Sequence, residues 1–365
     1  MKRKKMVFWC ILLSLNVIIP LILLEVGLRY VYWKPVYTPE TLRQVYMQYE
    51  PSIFSQHTIA PWEQTPQGWG VSYHINSLGY RGREFEPSKP EGIKRIFFLG
   101  GSSVFDLQAG QDKDWPSQVG NKLREAGFTN IECINAGTPG HTTFDAVGRL
   151  YSEIHTFQPD YLVLYCTWND LKYFTSKSTL LRSYSPTKTD YRFHYYNEID
   201  RLLCEVSQLY VKVRNRLILM DVDIGLEGAV VSTEPKSRYE NSKIEQYRLN
   251  IELFIDCARN IGAVPILATE VRLLTRKMTA SDKSKIGYNW MDLTHEALLD
   301  AYEACDRVIF DIAERKEVRL FDAASLFSGR SDLLLDHIHL SPQGSDTLST
   351  YIAENLTNVL EDTVE

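Results

Sequence analysis

Short apolar runs alternate with amphipathic segments along the chain from residue 94 onward. The runs are Arg95–Leu99, Ile131–Ile134, Tyr161–Tyr165, Val264–Ala268 and Val318–Phe321. Between and after them, apolar positions at helical spacing predict helices at about 115–126, 142–157, 240–261, 293–316 and 342–357. Continuous apolar runs separated by helices indicate parallel strands that are buried on both faces. The pattern therefore predicts an α/β domain with helices on both sides of a five-stranded parallel sheet.

One long segment, at about 171–239, interrupts this alternation. It contains helical spacing at 197–217 and a polar stretch at 227–238. Ligands of parallel sheets bind outside the carboxyl ends of the strands, so an insertion over those ends would form a lid or a substrate wall. A purely structural insertion fits the pattern equally well, and the sequence leaves both interpretations open.

The first 24 residues predict a membrane anchor. Residues 2–5 are all basic, and the apolar stretch Met6–Leu24 is interrupted only by Ser14, Asn16 and Pro20. Its length is close to the ~20 residues that cross the hydrocarbon core as a helix. The positive-inside rule then predicts a cytoplasmic N-terminus and a body on the extracytoplasmic side. A cleaved signal peptide is the alternative, but residues 24–29 lack the small-x-small pattern of a cleavage site.

These segments predict four regions. Residues 1–5 form a cytoplasmic basic tail, 6–24 a single-pass transmembrane signal anchor, 25–92 a stalk with irregular structure, and 93–360 the α/β domain. The first 34 residues carry six basic and one acidic side chain, although the whole chain has a net charge of −6. The body is therefore acidic, which argues against nucleic acid as a partner because phosphate binding depends on cationic side chains.

The cysteines do not form a metal-binding or redox motif. Six occur, and Cys10 lies within the predicted anchor, which leaves an odd number beyond it. No Cys-x-x-Cys and no His/Cys cluster with metal spacing is present. Cys133 and Cys166 fall in predicted strands, and we interpret the cysteines as core residues rather than disulfide partners. The glycine-rich loops lack the spacing of a dinucleotide site, so no cofactor is predicted.

Two distant loops contain the parts of a nucleophilic acyl-transfer site. Gly100-Gly101-Ser102-Ser103 follows the first apolar run, so Ser102 should lie where a buried strand turns into a helix. Asp336-His337-Ile338-His339 places a carboxylate three residues before an imidazole, just ahead of the last helix. A serine, a histidine and an aspartate brought together form a catalytic triad.

Two further loops follow strands between these. They are Asn135-Ala136-Gly137-Thr138-Pro139-Gly140 and Thr167-Trp168-Asn169-Asp170. An asparagine amide or a glycine N–H at a strand end can donate to a developing oxyanion. Each loop taken alone is also explained by a turn asparagine or a helix cap.

A metal site is the competing interpretation of the last loop, because two histidines lie beside an aspartate. In an extended loop, however, His337 and His339 would point in opposite directions, and no third cluster of ligands is visible. The sequence therefore predicts no metal.

Taken in order, the four loops resemble the four blocks of the SGNH (GDSL-type) hydrolase superfamily, over about residues 94 to 356. The resemblance implies a flavodoxin-like three-layer α/β/α fold. It implies that Ser102 is the nucleophile and that Asp336 and His339 complete the triad.

The same resemblance assigns the oxyanion hole to the N–H groups of Ser102 and Gly140 and to the Asn169 amide. Two positions depart from the superfamily pattern. Gly101 replaces the usual aspartate of the first block, and Thr167 replaces the usual glycine of the third. Neither change removes a catalytic group, but both alter the local backbone and pocket.

The implied activity is cleavage of an acyl ester through an acyl-enzyme. Asn76-Ser77-Leu78-Gly79-Tyr80-Arg81-Gly82 also resembles a segment of membrane-anchored members. Relatives anchored outside the membrane often deacetylate or acetylate envelope polysaccharides, so the resemblance implies a short-chain acyl ester such as an O-acetyl group on a glycan. An O-acyltransferase that modifies envelope polysaccharide with the same triad is one alternative. A non-catalytic envelope-assembly or glycan-binding protein is a second.

An α/β-hydrolase is disfavoured, since Val104 stands where that fold has glycine.

Overall fold

The computed structural model describes residues 15–31, 62–64, 73–175, 195–225 and 235–362. The chain divides into two compact units. The smaller unit comprises Met1–Tyr46 and Tyr184–Val231, and the larger comprises Met47–Ser183 and Ser232–Glu365. All the predicted site residues belong to the larger unit.

Two sheets are present in the described part of the larger unit. A small antiparallel pair is formed by β1 (Trp62–Gln64) and β2 (Tyr73–Ile75). The main sheet contains β3 (Lys94–Gly100), β4 (Ile131–Gly137), β5 (Tyr161–Tyr165), β6 (Val264–Ala268) and β7 (Arg319–Phe321). Its five strands are all parallel, in the spatial order β4-β3-β5-β6-β7. This order confirms the predicted flavodoxin-like sheet, and every predicted strand is present.

Helices connect the strands and follow the last one. In chain order they are α1 (15–26), α2 (Ser102–Phe105), α3 (Trp115–Glu125), α4 (Thr143–Ser152), α5 (Trp168–Leu171), α6 (Glu198–Val206), α7 (Gln208–Gly225), α8 (Asn241–Asn260), α9 (Ala280–Ser284), α10 (Tyr288–Met291), α11 (His295–Arg315), α12 (Ala323–Phe327) and α13 (Pro342–Asp362). A π-helical turn, Gly27–Val31, continues α1.

Short polar side chains cap the starts of several helices. The Asp114 carboxylate accepts from the N–H of Ser117 at the start of α3, and Thr294 caps α11 in the same way. Thr142 and Asp145 form a reciprocal capping box at α4. Such caps satisfy N–H groups that the first turn of a helix leaves without partners.

The prediction of one continuous helix at 142–157 is wrong, because the helix ends at Ser152. Glu153 leaves helical geometry, with φ −138° and ψ −59°, and a 3₁₀ turn follows at Ile154–Phe157. The turn places the ring of Phe157 against those of Phe97 and Tyr80, at centroid distances of 6.1 and 5.7 Å. Burial of this aromatic side chain explains why the regular helix ends early.

The core lies on both faces of the sheet. Every residue of β5 is buried, as are all residues of β3 after Lys94. Cys166 and Cys305 are buried free thiols, whereas Cys133 is only half-buried on the edge strand β4. Cys10 lies outside the described residues.

The smaller unit joins the N-terminal helix to the insertion. The helical spacing at 197–217 forms two helices, because Ser207 takes an extended conformation between α6 and α7. In the described ranges no helix is long and apolar enough to cross a membrane. Residues 6–14 of the predicted anchor lie outside those ranges.

Candidate active site

Ser102 lies at the turn between the first strand of the main sheet and the following helix. β3 ends at Gly100 and α2 begins at Ser102, as the sequence predicted. The residue is buried, with 8% of its surface exposed. The neighbouring Ser103 carbonyl accepts a hydrogen bond of 2.8 Å from the Trp115 indole, so α3 holds this turn in place.

The structure brings the three predicted triad residues together. The Ser102 hydroxyl lies 2.8 Å from Nε2 of His339, and Nδ1 of the same ring lies 2.7 Å from Oδ2 of Asp336. The side chains of His339 and Asp336 retain partial exposure, at 14% and 30%. A connected Ser–His–Asp chain is therefore present at the carboxyl end of the sheet.

The state of Asp336 fixes the direction of these hydrogen bonds. Burial alone would raise its pKa, but the hydrogen bond and charge of His339 outweigh burial and hold the pKa well below its usual range. An ionised carboxylate only accepts, so Nδ1 of His339 carries a proton, and in the neutral form of the imidazole Nε2 is then an acceptor. The Ser102 hydroxyl therefore donates to His339, which is the arrangement that general-base catalysis requires.

The expectation that His337 and His339 point in opposite directions is wrong. Their ring centroids lie 5.6 Å apart, and His337 stacks on Trp168 at 4.1 Å. The loop is not extended, because Oδ1 of Asp336 accepts from the N–H groups of Ile338 and His339 and curls the backbone around the carboxylate. Burial lowers the pKa of His337 to about 4, although Asp336 opposes the shift.

Asp336, His337 and His339 also place their ligand atoms within 4.8 Å of one another, the one such group found in the described ranges. Both nitrogens of His339 are already in hydrogen bonds. Asp336 and His339 therefore belong to the hydrogen-bonded chain with Ser102, His337 packs on Trp168, and we assign no metal to the three residues.

The loops at 135–140 and 167–170 meet the loop of the nucleophile at Gly101. An added Cβ there would lie 2.4 Å from Nδ2 of Asn169 and 3.2 Å from the His141 carbonyl oxygen. That carbonyl accepts from the same Asn169 amide at 2.9 Å. The amide predicted to donate to an oxyanion thus lies against the residue that precedes the nucleophile.

The loop of Gly140 is bonded to the turn that precedes Ser102, because the Thr138 N–H donates to the Gly100 carbonyl at 3.0 Å. Ser102 is the first residue of α2, and Gly140 turns the second loop with a φ of +85°, which favours glycine. The described residues provide no hydrogen-bond acceptor for either N–H. Asn169 uses one N–H on the His141 carbonyl and has a second available.

The departures from the superfamily pattern have local explanations. Gly101 leaves the space that the Asn169 amide occupies. The Thr167 hydroxyl lies 2.9 Å from that of Tyr247, which in turn donates to the Cys166 carbonyl at 3.0 Å. The threonine thus ties the third loop to α8.

Asn135 has a bracing role that the sequence did not distinguish from an oxyanion donor. Its amide donates to the Val104 carbonyl at 3.1 Å and to the Asp114 carboxylate at 2.9 Å. Its oxygen accepts from the N–H of Gly137 at 3.0 Å. These bonds join the end of β4 to the helix that contains Ser102.

Three buried carboxylates near the site were missed or given no role. Asp106 accepts from the Ser345 hydroxyl at 2.7 Å, Asp170 accepts from the Thr143 hydroxyl at 2.6 Å, and Glu270 lies two residues beyond β6. The sequence does carry a signal for Glu270, since a carboxylate directly after an apolar strand at the ligand-binding edge of the sheet is unusual.

Comparisons with known proteins concern the fold. No protein family model and no curated protein matches the chain. A lipase/acylhydrolase from Enterococcus faecalis is similar in structure, with 15% identity, a TM-score of 0.43, and coverage of 73% of this chain and 96% of that chain. A GDSL-like lipase from Bacteroides thetaiotaomicron is 10% identical, with a TM-score of 0.41 and coverage of 74% and 92%.

An acetyl xylan esterase from Geobacillus stearothermophilus is 13% identical, with a TM-score of 0.43 and coverage of 72% of this chain and 93% of that chain. Solved GDSL-type lipases and acylhydrolases are thus among the structures to which this chain is similar.

Proposed function

We propose that this chain is a serine esterase of the SGNH type, which cleaves a short-chain acyl ester through an acyl-enzyme. One observation carries the proposal: Ser102, His339 and Asp336 form a continuous hydrogen-bonded chain with contacts of 2.8 and 2.7 Å. The ionised aspartate gives the imidazole the tautomer that accepts the serine proton.

In the acylation step, Oγ of Ser102 attacks the ester carbonyl carbon while its proton moves to Nε2 of His339. Asp336 stabilises the imidazolium that forms. The N–H groups of Ser102 and Gly140 and the free N–H of Asn169 receive the developing oxyanion. The imidazolium then protonates the leaving alkoxide as the carbon–oxygen bond breaks.

Water then hydrolyses the acyl-enzyme, and the proton transfers run in the opposite order. His339 removes a proton from the water molecule, the hydroxide attacks the acyl carbon, and the proton returns to Ser102 as the acid leaves. The ring of His337 lies 5.6 Å from that of His339 and 4.1 Å from that of Trp168. We propose a small acyl group, such as the acetyl of an acetylated carbohydrate, as the group that the enzyme removes.

The test is hydrolysis of p-nitrophenyl acetate by the full chain and by Ser102→Ala. We expect the variant to lose about 10⁶-fold in turnover, the size seen for loss of a triad nucleophile. Ser152→Ala, which changes an exposed serine of α4, is the matched control and should keep wild-type turnover. A fluorophosphonate should label wild type at Ser102 and leave Ser102→Ala unlabelled.

Equal turnover of wild type and Ser102→Ala would show that Ser102 is not the nucleophile. A wild-type chain that neither hydrolyses the ester nor takes the label would support a non-catalytic role. Repeating the reaction with a carbohydrate acceptor separates the two enzymatic alternatives: free acetate supports the esterase, and an acetylated acceptor supports the transferase.

A further inference from the structure

Glu270 joins the loop of the nucleophile to the loop of the oxyanion amide. Its carboxylate is 2% exposed and lies just beyond the carboxyl end of β6. Oε1 accepts from the Ser103 hydroxyl at 2.6 Å. Oε2 accepts from the N–H groups of Thr167 and Trp168 at 3.1 and 2.6 Å.

The partners of this carboxylate adjoin the reacting groups. Ser103 directly follows Ser102, and Trp168 directly precedes Asn169. The two loops come from different strands, β3 and β5, and a single planar carboxylate accepts from both. Their separation is therefore fixed by the distance between two oxygens of one rigid group.

We propose that Glu270 is a positioning residue, which sets the distance between the Ser102 nucleophile and the Asn169 oxyanion donor. This inference rests on the proposed esterase function. Misplacement of a catalytic group by about 1 Å costs about 10²-fold in rate, so a brace of this kind is expected to act on turnover. Loss of the brace should change substrate binding little, because the carboxylate is buried away from solvent.

The carboxylate is itself held from a third direction. The Tyr302 hydroxyl of α11 donates to Oε2 at 2.8 Å. The Arg272 guanidinium lies over the Tyr302 ring at 4.3 Å and pairs with Asp306 at 2.5 Å. This support fixes the glutamate relative to the core and to both loops.

Four variants of the full chain test the proposal. Glu270→Ala removes the brace, and Glu270→Gln keeps an oxygen for the two backbone N–H groups and an amide that can donate to Ser103. Ser103→Ala removes only the link to the nucleophile loop. Thr269→Val is the matched control, since Thr269 is equally buried at the same strand end, but its hydroxyl bonds go to Asp322 and Ala324.

We expect Glu270→Ala to lower kcat for p-nitrophenyl acetate about 10²-fold with KM changed less than about threefold. Glu270→Gln should recover most of that loss. Ser103→Ala should cost about tenfold in the wild-type background and nothing further in Glu270→Ala, because the link is already gone there. Thr269→Val should lower the thermal midpoint and leave kcat within about twofold.

A wild-type kcat in Glu270→Ala overturns the proposal, as does an equal loss of kcat in Thr269→Val. Equal losses in the alanine and glutamine variants would also overturn positioning through hydrogen-bond acceptance. If Glu270→Ala does not fold, Ser103→Ala decides, since wild-type kcat there contradicts the brace. An inactive wild type with unlabelled Ser102 would contradict the proposed function and this inference together.

Discussion

Asp336 and Asp170 differ in charge because their surroundings differ: the first is ionised, and the second holds a proton at neutral pH. Asp336 is partly exposed and bonded to an imidazole, so it stays ionised despite partial burial. Asp170 is fully buried, and burial raises its pKa to about 8 although the Thr143 hydroxyl and N–H oppose the shift. The same type of side chain therefore belongs to the proposed triad in one place and packs two loops together in the other.

At the residue scale, the glycine that replaces the superfamily aspartate is predicted to be required here. The methyl group of Gly101→Ala would lie 2.4 Å from Nδ2 of Asn169, so the amide must move away. We expect a loss of about 10²-fold in kcat, as for loss of one oxyanion donor. Gly101→Asp introduces the residue that is usual at this position of the SGNH motif, and its kcat should be lowered at least as much.

Gly287→Ala is the matched control for this prediction, measured in the same p-nitrophenyl acetate assay. Its added Cβ would lie 3.8 Å from His337 and 3.9 Å from Trp168, which are ordinary contacts beside the same site. Its kcat should stay within about twofold of wild type. Unchanged kcat in Gly101→Ala would show that the Asn169 amide can shift without loss of function.

The corner between α6 and α7 is the clearest feature that element prediction missed. Glu25 accepts from the N–H groups of Gln208 and Leu209 at 2.8 and 2.9 Å, at the start of α7. Arg29 pairs with Glu25 at 2.6 Å and donates to the Val206 carbonyl at the end of α6. An i,i+4 ion pair of the N-terminal segment thus caps two helix ends with the charges that their dipoles favour.

At the element scale, Glu25→Gln should loosen this corner. Loss of the carboxylate removes a charged cap from α7, and such caps contribute about 0.5–2 kcal/mol. Hydrogen exchange at the amides of Gln208 and Leu209 should accelerate, while exchange in α13 of the larger unit stays unchanged. Unaltered exchange at residues 208 and 209 would contradict the cap.

The larger unit as a whole contains buried carboxylates that bind protons near neutral pH. Burial raises the pKa of Asp106 to about 7 and that of Asp170 to about 8, from ordinary values near 3.8. Between about pH 4 and 8 the folded state therefore holds protons that the unfolded state has released. The stability that these protons provide is complete below about pH 4 and is lost as pH rises toward 8.

At the scale of the molecule, the midpoint of urea unfolding should therefore be higher at pH 5 than at pH 8. The lowered pKa of His337 acts in the opposite direction up to about pH 6.5, but the upward shifts of the two aspartates outweigh it. Asp170→Asn, which keeps an oxygen for the Thr143 N–H and cannot ionise, should reduce this difference. Lys113→Met, which removes one exposed charge, serves as a control with unchanged pH dependence. A midpoint that rises between pH 5 and pH 8 would contradict the assignment of these protons.

The sequence by itself determined the architecture of the sheet and predicted the residues of the proposed site. Uninterrupted apolar runs predicted all five parallel strands, because such runs are stable only where both faces of a sheet are covered. Helix periodicity located the long helices within a few residues. The Gly-Gly-Ser turn and the Asp-x-x-His loop predicted the residues of the proposed triad, since their residue types allow acyl-transfer chemistry and their positions follow strands or precede a helix.

Only the tertiary structure decided what depends on distances between remote residues. The curl of the Asp336 loop, the place of Asn169 against Gly101, the brace at Glu270 and the cap at Glu25 each join segments far apart in sequence. The local spacing of apolar residues shows which face of a helix or strand is apolar. It does not show which polar groups meet at the ends of the strands. Those contacts arise only when packing of the core brings the ends of the strands to one edge of the sheet.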